Sequence, residues 1–250
     1  MMSPKIEEAA RLIAQAKHLV AFTGAGISAE SGIPTFRGPG GIWDKYDPVV
    51  LEIDYFIKNY DQVWPVIKDM FYTVIDRAQP NPAHYTLAQW EKDGLLKAVI
   101  TQNIDNLHQK AGSRNVIEYH GNTRQAVCLD CGRTVPLTKE ILSRDVPRCP
   151  YCGGRLKPDF VFFGEPIPEE AARKSLEHTL KSDVYLVIGT TGIIMPASLL
   201  PYEAKQNGAT IIEINLNPSE YTGRITDIFL QAKAGEILPA LGEEIEKLRK

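Results

Sequence analysis

The sequence predicts an α/β protein, a doubly wound, Rossmann-like parallel sheet interrupted by a helical insertion and a small cysteine-bearing module. Three observations predict it. Short apolar runs at residues 19–22, 98–101, 116–119, 184–188, 210–214 and 228–230 alternate with stretches of helical periodicity. The runs are continuous rather than alternating, as strands covered on both faces are. Four cysteines form two pairs, Cys128-x-x-Cys131 and Cys149-x-x-Cys152, with seventeen residues between them.

Each element follows from local pattern. Residues 4–17 place Ile6, Ala9, Ala10, Ile13 and Ala14 on one helical face. The first strand ends at Thr23, and a glycine turn follows with small residues that open a helix. Residues 38–80 show no clear strand. Glycine and proline begin this segment, and 51–60 and 63–75 look helical, so it reads as an insertion whose aromatics pack or wall a cleft. Asn81 caps the next helix, with Pro82 in its first turn. Residues 157–165 are expected to return the chain to the main sheet. A helix from Pro168 to about Leu180 and a closing helix over 235–249 complete the pattern.

Composition narrows the class. A 44% hydrophobic share of 250 residues supports a large core, and a net charge of −3 gives no basic surface for nucleic acid. No apolar run approaches the roughly 18 residues of a membrane span. Met1-Met2-Ser3-Pro4-Lys5 is not followed by a signal-peptide core, so an intracellular, cytoplasmic protein is expected. The cysteine spacing is that of a zinc ribbon, and four thiolates close a tetrahedron around a structural ion. Two disulfides are the alternative, which a chain of this size without a secretion signal disfavours.

The chemistry gathers at strand ends. Gly24-x-Gly26-x-x-Ala29 after the first strand is the alanine variant of the dinucleotide fingerprint. A dehydrogenase would carry an acidic residue at the end of a second strand about 20 residues on. Asp44 and Asp47 fall there in a loop, so a nucleotide is expected without the hydride-transfer layout. Gln102-Asn103-Ile104-Asp105, His120, Gly189-Thr190-Thr191 and Asn215-Leu216-Asn217 close four further strands. Ligands of open parallel sheets sit outside the carboxyl ends, so five such clusters argue for one site. His120 is the candidate general base.

Gly24-Ala25-Gly26-Ile27-Ser28, Gly32-Ile33-Pro34-Thr35-Phe36-Arg37-Gly38, Thr101-Gln102-Asn103-Ile104-Asp105, His120-Gly121 and the four cysteines occur in the order seen in sirtuins. Over about residues 18–240 the chain resembles a compact prokaryotic-type member of that family. The resemblance implies an NAD-dependent protein-lysine deacetylase. Such an enzyme transfers the acyl group to ADP-ribose and releases nicotinamide and 2′-O-acetyl-ADP-ribose. Mono-ADP-ribosyl transfer is the alternative, and a non-enzymatic zinc-ribbon binding module a third reading. The implied domains are residues 1–37, 81–122 and 158–250 for NAD, 38–80 for the insertion and 123–157 for the zinc ribbon.

The resemblance also implies roles. Gly24, Ala25 and Gly26 hold the pyrophosphate through backbone donors, Ala29 belongs to the cofactor set, and Thr190 and Thr191, beside Gly189, offer hydroxyls. Thr35, Phe36 and Arg37 belong to a mobile loop over the nicotinamide ribose. Gln102 lies beside that ribose, Asn103 and Asp105 form the carboxamide pocket, and Ile104 belongs to the cofactor set. Asn215 pairs with the adenine ribose, and Leu216, Asn217, Lys233 and Ala234 complete the cofactor set. His120, Asn103 and Asp105 are catalytic, with Asp105 expected as an exposed strand-end carboxylate. Val161, Phe162, Phe163, Gly164, Glu165, Ile193 and Ile194 take an acetyl-lysine protein as an extended peptide. NAD is the co-substrate and one structural Zn2+ per chain is implied.

Two details remain. The family commonly has Gly-Thr-Ser where Gly189-Thr190-Thr191 stands, and Gly192 beside it is expected to loosen the loop. Members that prefer succinyl or malonyl groups carry Tyr-x-x-Arg in the insertion. Ungapped alignment puts Ile67 and Met70 at those positions, with Tyr72 and Arg77 as substitutes if the helix is shifted. Among the other histidines, His18 is expected to be structural and His178 exposed. His84 lies at a helix start and His108 in a helix after the pocket residues.

Overall fold

The apolar runs become strands because they are the segments that can be buried on both faces. In the computed structural model, which describes residues 4–249, the strands are β1 (Leu19–Thr23), β2 (Leu96–Thr101), β3 (Val116–Glu118), β4 (Gly121–Cys128), β5 (Thr134–Pro136), β6 (Leu156–Phe160), β7 (Val184–Ile188), β8 (Thr210–Asn215) and β9 (Ile228–Gln231). Six of them form a parallel sheet in the order β3-β2-β1-β7-β8-β9. Every residue of β1 and β7 is buried. Leu19 and Ala21 face the helices Pro4–Gln15, Pro82–Lys92 and Ala234–Leu248; Val20 and Phe22 face Leu200 and Ala204 of the helix Leu200–Gln206. The chain leaves β1 toward β2 on one side and reaches β7 on the other. Between β1 and β7 lies the switch point at which such sheets bind ligands.

One expectation is corrected. Residues 157–165 do not return to the main sheet: β6 pairs antiparallel with β4, and β5-β4-β6 form a separate three-stranded sheet. The cause lies at Gly121. Its φ of +73° turns the chain straight from β3 into β4, and a Cβ there would lie 2.2 Å from the Asp159 carbonyl oxygen. The small sheet therefore begins beside His120 and closes on β6.

The helical insertion and the cysteine module share one core. Trp64 donates through Nε1 to the Leu156 carbonyl at 2.8 Å. The Tyr60 hydroxyl donates to the Pro147 carbonyl at 2.8 Å and accepts from the Leu156 N–H at 2.7 Å. Phe56, Ile67, Phe71, Val135, Phe160 and Phe162 are buried with them. The insertion's helices are shorter than the periodicity suggested, and a π-turn at Lys68–Tyr72 separates Tyr60–Ile67 from Thr73–Ile75. The segment after β1 is a 3-10 helix, Ala25–Ser31, ended by Gly32 in the left-handed region.

Beyond β8 the chain is held by Glu213, which is fully buried. Its carboxylate accepts hydroxyls from Ser219 at 2.5 Å, Thr222 at 2.8 Å and Thr226 at 2.6 Å. A buried carboxylate without such donors is costly, so the loop that follows β8 is pinned to the sheet. Among the described residues no helix is long and apolar enough to cross a membrane.

Candidate active site

The carboxyl edge of the main sheet and the shared core of the insertions face each other across a cavity of about 780 Å³. All five strand-end clusters reach it: Gly24 to Gly26 after β1, Gln102 to Asp105 after β2, His120 after β3, Gly189 to Thr191 after β7 and Asn215 to Asn217 after β8. Ala29, Thr35, Phe36, Arg37, Lys233 and Ala234 line it as well, as do Val161 to Glu165 and Ile194. Ile193 does not; it is 51% exposed.

The two fingerprint glycines serve a different purpose from the one expected. The Gly24 N–H donates to the Ile188 carbonyl at 2.9 Å and the Gly26 N–H to Gly189 at 2.8 Å. A Cβ on Gly26 would lie 2.6 Å from the Gly189 Cα. The glycines let the loops after β1 and β7 touch. Their N–H groups are consumed in that contact, so the expectation that both donate to a phosphate is corrected.

Asp105 is buried, at 4% exposure, rather than an exposed carboxylate. One oxygen accepts the Ser28 hydroxyl at 2.6 Å and the other the Leu107 N–H at 2.9 Å. Burial raises its pKa, opposed by those two donors and by Lys110. Asn103 donates from Nδ2 to the Gly24 carbonyl at 3.1 Å and to Ser28 Oγ at 3.2 Å. His84 accepts the Asn81 N–H on Nδ1 at 3.3 Å, leaving Nε2–H toward Ser28 Oγ at 3.5 Å. Beneath them Thr23 donates to Thr101 at 2.8 Å and stands 3.0 Å from His108 Nε2. Burial drives the His84 pKa down to about 4 and that of His108 well below the ordinary value, so both rings are neutral.

His120 stands at the cavity with Nδ1 3.1 Å from the Gln102 carbonyl. A carbonyl only accepts, so Nδ1 carries the proton and the Nε2 lone pair is free. Burial lowers its pKa against the opposing effect of that carbonyl. The ring is therefore a neutral base at neutral pH.

Sequence reasoning missed Ser28 as a site residue, because its partners Asp105 and Asn103 are distant in the chain. The apolar wall joins Trp43 and Phe71, expected as packing or cleft-wall aromatics, and Met70 with Ile42, Leu51, Val74 and Ile75, which sequence reasoning did not assign to the site. The aromatic clustering of the insertion was its signal. Met70 lines this wall, whereas Ile67 is buried behind it. Tyr72 does not line the cavity. Arg77 opens onto a separate small cavity with Ser31 and Thr73. Among the described residues, Arg37 and Lys233 are the cations of the main cavity.

Gly192 sits where a side chain would not fit. It has φ +75°, and a Cβ there would lie 2.8 Å from the ring of the buried Tyr221. His178 is partly buried rather than exposed, with Nδ1 3.0 Å from His18 Nε2.

The cysteine module fits a metal. The four sulfurs lie within 4.8 Å of one another, with Cys128 and Cys152 at 3.6 Å and Cys131 and Cys149 at 3.9 Å. Four zinc–sulfur bonds of about 2.3 Å place tetrahedral sulfurs about 3.8 Å apart. The distances exclude disulfides.

The family model described as the Sir2 family matches residues 24–196. The chain belongs to the Sir2 family. Among Sir2 relatives, it is 45% identical over 249 residues to an NAD-dependent protein deacylase of Pyrococcus abyssi, covering 97% of this chain and 99% of the relative. It is 48% identical over 239 residues to NAD-dependent protein deacylase 2 of Pyrobaculum aerophilum, covering 95% of each. A solved Sir2 homolog–NAD complex superposes with a TM-score of 0.90 at 40% identity, covering 98% of this chain and 95% of that one. A Sir2–p53 peptide–NAD+ complex gives 0.88 at 35% identity, covering 97% and 98%.

Two outcomes follow for this Sir2 chain. Purified protein is expected to carry about one zinc per chain, and its removal, or Cys128→Ser, to cost several kcal/mol of stability. Calorimetry with metal analysis checks this; a metal-free chain with an unchanged melting temperature contradicts it. Asp105→Asn sets an amide against either Ser28 or the Leu107 N–H. It is expected to cost about 1–3 kcal/mol of stability as well as activity, read by urea unfolding beside a rate assay. Unchanged stability contradicts the buried role.

Proposed function

We propose that the cavity binds NAD and an acyl-lysine peptide together, and that the chain is an NAD-dependent protein-lysine deacylase. The observation that carries this reading is His120. Its free Nε2 stands in one cavity with the fingerprint loop on one side and an apolar wall on the other. The named activities of the relatives agree with it.

When bound, NAD supplies an electrophilic ribose carbon with nicotinamide as its leaving group. This chain's residues do the rest. The Ala25 N–H, Thr190, Thr191 and Lys233 hold phosphate, and Asn215, Leu216, Asn217 and Ala234 the adenine end. Gly24, Gly26, Ala29 and Gly189 shape that floor. Asn103, Ile104 and Asp105 hold the carboxamide, with Thr35, Phe36 and Arg37 above and Gln102 beside the ribose. Val161 to Glu165 with Ile193 and Ile194 pair with the extended substrate, and Phe162 walls the lysine stem. His120 takes a proton from the ribose hydroxyls after the acyl oxygen attacks. With one water consumed, the acyl group ends on ADP-ribose and lysine is freed. Cys128, Cys131, Cys149 and Cys152 hold structural zinc away from this chemistry.

The domain division proposed is residues 1–37, 81–122 and 158–250 for NAD, 38–80 for the insertion and 123–157 for zinc, with the last two sharing one core and β6 crossing the last boundary. A cytoplasmic compartment is proposed, where thiolates that hold zinc stay reduced. Acetyl-lysine proteins are the partners, and the net charge of −3 offers nucleic acid nothing. ADP-ribosyl transfer needs no apolar wall, so that wall favours deacylation. Incubation with NAD and an acetyl-lysine peptide, followed by mass spectrometry, tests the choice. Equal amounts of nicotinamide, freed peptide and acetyl-ADP-ribose are expected; a peptide gaining ADP-ribose contradicts it.

Three outcomes follow from the assignment. His120→Ala is expected to remove about 100-fold or more of the rate while NAD affinity persists, since the phosphates are held elsewhere. Calorimetric titration checks that separation, and loss of both in proportion contradicts it. Because His120 must be neutral and burial lowers its pKa, the rate is expected to hold through neutrality and fall only below the ordinary histidine value of about 6.5. A midpoint above that value in the pH profile opposes the assignment. With apolar Met70 in the wall, succinyl-lysine is expected to be on the order of 100-fold worse than acetyl-lysine in kcat/KM. An equal or higher succinyl value contradicts this.

A further inference from the structure

Lys157 is the odd residue of β6. It is 8% exposed, yet it does not line the cavity. Its Nζ lies 2.8 Å from the Pro158 carbonyl, 2.9 Å from the Phe160 carbonyl and 3.1 Å from Glu165 Oε2. These use all three donors of an ammonium group. The same charge stands 4.8 Å from the ring centroid of Phe162.

Two of these acceptors, Pro158 and Phe160, lie on β6 itself, and the third, Glu165, belongs to the turn that follows it. Glu165 Oε2 also accepts the Phe162 N–H at 2.9 Å, and the Glu165 N–H returns to the Phe162 carbonyl at 3.0 Å. The turn begins on the catalytic base itself, because the Val161 N–H donates to the His120 carbonyl at 2.9 Å. The Phe162 ring is further fixed by stacking on Phe160, centroids 4.9 Å apart and 2° from parallel. A burial of positive charge is tolerated only where acceptors surround it. Here two acceptors end β6 and the third, Glu165, bonds the Phe162 N–H, so the charge ties the end of β6 to the 161–165 segment.

We propose that Lys157 is a positioning residue for substrate. Its ammonium sets the 161–165 strand and the Phe162 ring in the geometry that receives the acyl-lysine peptide, and it contributes nothing to holding NAD. This rests on the reading of 161–165 as the peptide-binding strand. A merely structural lysine would, when removed, weaken both substrates together or neither.

The test is steady-state kinetics on the zinc-loaded full chain with an acetyl-lysine peptide and NAD varied separately. Lys157→Met keeps the apolar stem and removes the charge. The peptide KM is expected to rise about tenfold, the scale of a lost charged hydrogen bond. The NAD KM is expected to stay within about twofold, the scatter of an independent site. Lys157→Arg should restore most of the peptide KM. Glu165→Gln, at a half-buried and partly solvated position, should raise the peptide KM alone and keeps the test in hand if Lys157→Met does not fold. An unchanged peptide KM in a folded Lys157 or Glu165 variant overturns the proposal, as does an NAD KM that rises in step. A wild-type chain without turnover on acyl-lysine overturns the deacylase reading and the proposal with it, whereas normal wild-type turnover with unchanged variants overturns the proposal alone.

Discussion

The site depends on the bond between Ser28 and Asp105, 2.6 Å long and joining residues 77 apart in sequence. It ties the 3-10 helix after β1 to the loop after β2. The Ser28 hydroxyl has one proton and gives it to the carboxylate, so its lone pairs are left for Asn103 and His84. Asn103 then reaches back to the Gly24 carbonyl. Hydrogen bonds to charged groups contribute about 1.5–3 kcal/mol each, and a buried carboxylate that loses its donors costs as much again. The loops after β1 and β2 therefore take one arrangement, and the neutral rings of His84 and His108 pack under it, centroids 4.9 Å apart.

A second contact closes the other side of the switch point. Gly24 and Gly26 lie against Gly189 with their N–H groups spent on β7. Asn215 donates to the Thr190 carbonyl at 2.9 Å, and Gln102 to the Thr190 hydroxyl at 3.1 Å. Glu213, one strand position before Ile214, holds the rest of the β8 loop. Each strand end is thus fastened to its neighbour by contacts within the protein itself. Preorganisation of this kind spares the binding energy that ordering loops would otherwise consume.

Much of this was legible in the sequence. The strands of the main sheet are continuous apolar runs, and their ends carry residues that turns alone do not require in such number. Two Cys-x-x-Cys pairs give the metal from spacing. What was not legible depended on distant partners. Nothing local in Leu156–Phe160 says which sheet it joins; Gly121 and the Asp159 carbonyl decide that. The insertion and the cysteine module read as separate because Trp64 and Leu156 meet only in space. Asp105 looked exposed because turn carboxylates usually are, and the Ser28 hydroxyl that buries it lies after another strand. Gly26 matched a phosphate-binding pattern, but its contact with Gly189 could not be read from spacing.

The central claim is that one cavity brings a ribose carbon and an acyl oxygen together beside His120. The direct measurement is to label the amide carbonyl of an acetyl-lysine peptide with heavy oxygen and follow the atom by mass spectrometry of fragments after turnover with NAD. The account predicts the label on the ribose carbon that carried nicotinamide, since the acyl oxygen forms the new bond there. Label that stays in the acetyl group, or leaves as free acetate, would contradict it.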